Sequence, residues 1–180
     1  MLFWHIGASI GFVRYAFRDP MMDLRFLALG AILPDLVDLP IGIAMWDSYQ
    51  NVRLGAHSML FAASLLVAVL VVTRRGVWRK RLILLAVGAF LHLALDAMWQ
   101  TPETLWWPFL GDGLASTGFA TYGEYLGDLV SNPVMWLGEI AGAAYLVFLF
   151  TKSGLSDPQT RATFVRTGVV SAPIGRTGSP

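Results

Sequence analysis

The feature that most constrains this chain is a set of three apolar stretches, residues 54–73, 82–99 and 133–151, each long enough to cross a hydrocarbon core of about 30 Å as a helix. Segments of this kind must satisfy their backbone internally and keep their charges at the ends. Composition agrees: 56% of the 180 residues are hydrophobic, 14% are charged and the mean hydropathy is +0.59, which lies outside the range of an ordinary soluble domain. The expected fold is all-α, a polytopic membrane helical bundle with three long transmembrane helices. Two shorter apolar stretches, residues 2–17 and 24–34, flank the turn "RDPMMD" and predict an N-terminal helical hairpin. The prolines of "LPDLVDLP" are expected to end its second arm. No basic n-region or small-x-small cleavage site precedes the first arm, so a removable signal peptide is not expected.

The loop "RRGVWRKR" carries Arg74, Arg75, Arg79, Lys80 and Arg81, and the positive-inside rule assigns it to the cytoplasm. The start of the helix with His57 and the end of the helix with His92 and Asp96 then face outward. Residues 100–132 are rich in glycine and aromatics, including Trp106, Trp107, Phe109, Tyr122 and Tyr125. They read as an interfacial aromatic lid over that outer face. Residues 1–152 form the expected membrane-embedded domain, and the polar residues 153–180 read as a disordered C-terminal tail.

"HLALD" puts His92 and Asp96 four residues apart, on one face of a helix and one turn from each other. The pair fits a shared metal ion; it fits equally a helix end where the carboxylate reaches water and the imidazole packs in the core. Other polar residues converge on the same end. "LPDLVD" supplies Asp35 and Asp38, "RLGAHS" supplies Arg53, His57 and Ser58, and His5 lies at the outer end of the first arm. Cysteine is absent, so any metal must be held by His and carboxylate. Imidazoles with carboxylates are the ligand set of hydrolytic zinc sites, and also suit manganese or iron.

Each remaining candidate carries more than one reading. Ser58 as a nucleophile competes with a helix-start hydroxyl that bonds locally. Arg53 offers donors to a phosphate or carboxylate, or simply meets lipid headgroups. Glu139, inside the third long helix, is an outer partner of a ligating His, a ligand to a second ion, or a protonated packing residue among Gly138, Ala141 and Gly142. No Gly-rich phosphate loop and no G-x-S-x-G elbow is present. The net charge of +1 gives no support to a nucleic-acid partner.

In this order His5, "LPDLVD", "RLGAHS", "HLALD" and "LWWP" resemble the landmarks of the YdjM-like inner-membrane metal-dependent hydrolases, over residues 1 to about 110. That family is distantly similar to zinc-dependent enzymes of the phospholipase C type. The resemblance implies a first metal site from Asp35 or Asp38 with His57, His92 and Asp96, and His5 helping to hold a second ion. The phospholipase pattern has a His-x-x-x-Glu helix, whereas Met135 stands four residues before Glu139 here. The resulting expectation is a hydrolase of the inner membrane using one or two divalent ions, zinc or else manganese or iron. It would cleave an ester or phosphoester of a lipid or other amphipathic molecule at the outer face. Arg53 would hold an anionic group, and whichever of Asp35 and Asp38 is not a ligand would take a proton. A metal-free transport or proton-relay protein and a non-catalytic membrane scaffold are the rival readings.

Overall fold

A computed structural model describes residues 1–111 and 113–170, and among these every regular element is a helix. Helix α1 (Leu2–Phe17) is followed by α2 (Leu24–Gly30), α3 (Leu33–Ala44), a short α4 (Trp46–Tyr49), α5 (Met59–Val72) and α6 (Val77–Leu95). The short α7 (Pro102–Leu105), α8 (Tyr122–Ser131), α9 (Pro133–Lys152) and α10 (Pro158–Thr167) complete the order.

The number of spans differs from expectation. Among the described residues, two helical stretches are long and apolar enough to cross a membrane, Leu24–Ala44 and Pro133–Lys152. The second is the third expected span. The first joins α2 and α3, because the prolines do not end the arm as expected. Pro34 sits in the first turn of α3 and Pro40 lies inside that helix. A proline has no N–H, so Pro34 only interrupts the ladder, and the chain runs on after a break at Ala31–Ile32. The expected span at 54–73 is shortened to α5, because Gly55–His57 forms a 3-10 turn and Ser58 caps the helix that follows. The expected span at 82–99 stops at Asp96, and α6 instead extends back through the basic residues Arg79 to Arg81.

Close approaches at glycine hold the bundle together. A side chain on Gly30 would lie 2.0 Å from the Leu85 carbonyl oxygen, and one on Gly88 2.5 Å from that of Leu27, so α2 and α6 pack nearly backbone to backbone. On the other flank, Gly142 of α9 leaves no room for a side chain against the Phe3 carbonyl of α1, only 2.1 Å from where its Cβ would stand. Small residues at such crossings are how apolar helices gain contact where lipid offers no hydrophobic drive.

The tail is not unstructured over its described part. Asp157 caps α10 through Thr160 N, Pro158 occupies the first turn, and Gly168 ends the helix with φ 74°. Leu155 and Val170 are buried with Ile10, Val13 and Leu24 in one core cluster. Gly168 O accepts from Leu24 N at 2.9 Å. These cap signals were hidden in the sequence by a polar composition. Residues 171–180, the rest of the expected tail, lie outside the described residues.

Candidate metal centre

The break in the Leu24–Ala44 stretch builds one wall of the site. It leaves the Ala31 carbonyl to accept from His92 Nδ1 at 2.7 Å, while α3, starting at Leu33, carries Asp35 and Asp38 one turn apart. Asp38, 2% exposed, faces the turn before α5. It accepts from Leu54 N at 2.7 Å, Ala56 N at 3.1 Å, His57 N at 3.1 Å and His57 Nδ1 at 2.8 Å. The carboxyl thus folds the "RLGAHS" loop around itself and sets the plane of the His57 ring. On α1, His5 Nδ1 is hydrogen-bonded to the Met1 carbonyl.

All three histidines therefore commit Nδ1 to an oxygen acceptor. Carbonyls and a carboxylate already receiving amide protons accept, so each Nδ1 carries a proton, and in the neutral imidazole that leaves a lone pair on Nε2. The Nε2 atoms of His57 and His92 face each other, and all three Nε2 atoms lie close to carboxylates. His57 Nε2 and His92 Nε2 are 3.2 Å apart, and Asp35 Oδ1 lies 3.3 Å from the first and 3.6 Å from the second. Asp96 Oδ2 lies 3.8 Å from His57 Nε2 and 3.9 Å from His92 Nε2. Asp96 Oδ1 is 2.9 Å from the buried His5 Nε2. The His5 and His92 rings stack with centroids 4.2 Å apart.

So many acceptors crowded together, with all three imidazoles fully buried, repel one another unless a cation lies between them. In two groups, His5–His92–Asp96 and Asp35–His57–His92, the donor atoms lie within 4.8 Å of one another. A matched set of imidazole nitrogens and carboxylate oxygens is what a divalent ion takes, so the buried cluster could hold a metal ion.

The other candidates fall around this cluster. Arg53 Nε bonds Asp96 Oδ2 at 2.7 Å, and the Arg53 side chain is 34% exposed, as is that of Asp35. Ser58 donates to Gly55 O at 2.6 Å and accepts from Phe61 N, so its hydroxyl is spent on the cap. The Trp107 ring lies 3.7 Å from where a Gly55 side chain would stand. Behind it, residues 115–117 are stitched to Gln50 and Asn51. Trp46, Phe119, Tyr122 and Tyr125 form a ring cluster on the same side.

Asn51 was not legible as a site residue. Its Oδ1 accepts from Arg53 N at 3.0 Å and its Nδ2 donates to Ala115 O at 2.6 Å, so it ties the aromatic segment to the arginine. The Asn-x-Arg spacing is a local side-chain turn and could have been read as one. The orienting carbonyls of Met1 and Ala31 leave no trace in residue type.

Comparison with known proteins decides the family. From residue 3 to residue 157 the chain matches the model of YdjM inner membrane proteins. It belongs to the YdjM inner membrane protein family. No curated protein and no solved structure matches it. The YdjM match takes in every member of the cluster from His5 to Asp96, and it ends just before α10. With the apolar stretches Leu24–Ala44 and Pro133–Lys152, the protein is an integral protein of the inner membrane.

Proposed function

We propose that this YdjM protein is a metal-dependent hydrolase of an ester or phosphoester, working at the outward face of the inner membrane on a lipid or other amphipathic substrate. One observation carries the reading: with every Nδ1 tied to an oxygen, the three Nε2 atoms gather with Asp35 and Asp96 in one cluster. His57, His92 and Asp35, with Asp96, would hold one ion, and His5 with Asp96 extends the set towards a second. Zinc suits it best, with manganese or iron as alternatives. A divalent ion bound here supplies Lewis-acid chemistry, making water more acidic and polarising a carbonyl or phosphoryl group.

The chain's own residues divide the rest of the work. Asp38 is enclosed by four hydrogen bonds and cannot reach a substrate, so it acts as the acid that orients His57. Asp35 is counted among the ligands, so the proton-accepting role expected of the non-ligand acid falls to neither residue. Arg53 stabilises Asp96 through Nε and has further guanidinium nitrogens for an anionic group. The Trp107 segment limits water at the mouth.

The test is metal analysis of the protein purified in detergent, beside His92→Ala and Asp96→Asn. Stoichiometric metal in the parent and its loss from both variants is expected. Chelator-sensitive turnover should then appear in a screen of phosphoesters and lipid esters. A parent without metal sinks the reading in favour of proton relay; retained metal with no turnover on any substrate class favours the scaffold.

A further inference from the structure

Glu139 belongs to α9, which lies outside the elements that carry the metal-ligating residues. Its carboxyl group reaches across to the start of α1, where Oε2 accepts from Phe3 N at 3.1 Å and Oε1 from Trp4 N at 3.4 Å. The first amides of any helix lack an acceptor within the helix, and in an apolar surrounding an unpaired amide is costly. Glu139 therefore caps α1 from a different helix. The register is fixed on both sides of it: a side chain on Gly138 would stand 3.4 Å from the Trp4 ring, and Gly142 closes on the Phe3 carbonyl.

The next residue after this capped pair is His5. Its ring is oriented by the Met1 carbonyl, in the same first turn, so the rotation of that turn decides where Nε2 points. The only buried positions of α9 are Gly142 and Leu149, and α9 packs chiefly against α1. We propose that Glu139 is a positioning residue for the metal centre: by capping α1 through Phe3 N and Trp4 N, it fixes the first turn and aims His5 Nε2 at Asp96. This rests on the metal-centre reading above. It also accounts for an acid inside an apolar span without making it a ligand.

The experiment loads the full-length protein in detergent with cobalt(II) alone and compares four variants with the parent. The visible ligand-field bands report the number and kind of ligands, and titration gives the affinity. His5→Ala should change the bands through loss of one imidazole. Glu139→Ala should give the same altered bands and a roughly 10- to 100-fold weaker affinity, the scale of losing an outer partner of a ligand. Glu139→Gln, which keeps one of the two acceptor oxygens, should bring the bands part of the way back to those of the parent. Leu149→Ala, a cavity at the far end of the same helix pair, should lower thermal stability and leave the bands alone. That variant separates positioning from mere packing. Parent-like bands and affinity in Glu139→Ala overturn the inference while leaving the metal centre standing, as do unaltered bands in His5→Ala. A parent that takes up no cobalt overturns both.

Discussion

Each imidazole of the cluster has its proton committed away from the centre, and that commitment is made by a different partner in each case: a carbonyl at a helix start, a carbonyl at a helix break and a carboxylate. Such outer partners set ring plane and tautomer and raise ligand basicity. The two acids of "LPDLVD" therefore differ in kind. Asp35→Asn should abolish tight binding at the His57–His92 group by replacing a charged carboxylate donor with a neutral amide. Asp38→Asn keeps the size but offers an amide where four donors converge, and should weaken metal binding about 10- to 100-fold. Metal titration of the two variants, with circular dichroism to show that the helices remain, checks the order. The sequence made both acids visible and left their roles open, because three residues of spacing say nothing about which side of α3 meets the turn before α5.

At the scale of elements, the site depends on helices that break or stop where polar residues occur. Pro34 opens the ladder beside Ala31, Ser58 starts α5 immediately after His57, and α6 ends at Asp96. Hydropathy alone predicts continuous spans here, since it averages over these interruptions. The glycine crossings then bring α2 against α6 so that the Ala31 carbonyl can reach His92. Gly88→Ala would push a methyl group to 2.5 Å from the Leu27 carbonyl oxygen. The expected cost is about 1–3 kcal/mol, typical of overpacking, read as a lower midpoint of thermal unfolding in detergent. Gly127→Ala, with open space around it, should leave the midpoint almost unchanged.

Across the whole molecule, α6 separates two polar ends, with the His/Asp cluster at its C-terminal end and a charged network at its N-terminal end. In that network Asp23 meets Arg25 at 2.7 Å and Arg81 at 2.8 Å, and α10 docks on it through Gly168. Burial would raise the Asp23 pKa, but the hydrogen bonds and charge of Arg25 and the charge of Arg81 outweigh it and hold the carboxyl below its ordinary value. A carboxyl depressed by folding adds stability above its unfolded pKa, about 4, and loses it as pH falls through the lower folded value. The thermal midpoint should therefore drop between about pH 5 and pH 3, and Asp23→Asn should flatten that drop. The chain has no cysteine, so single-cysteine labelling tests the orientation directly. Arg75→Cys should react from the cytoplasmic side and Phe109→Cys from the outer side; the reverse pattern would turn the site inward.

The sequence by itself determined the class of the protein, its membrane location and the residues that could ligate, because apolar length, basic loops and the scarcity of His among hydrophobic neighbours are properties of the chain alone. Only the tertiary structure decided that those residues meet. The three Nε2 atoms belong to helices far apart in sequence, and their convergence depends on glycine crossings, a helix break and backbone carbonyls that carry no side-chain signature. It likewise decided that Glu139 serves α1, since a cap donated from another helix exists only once the two have packed.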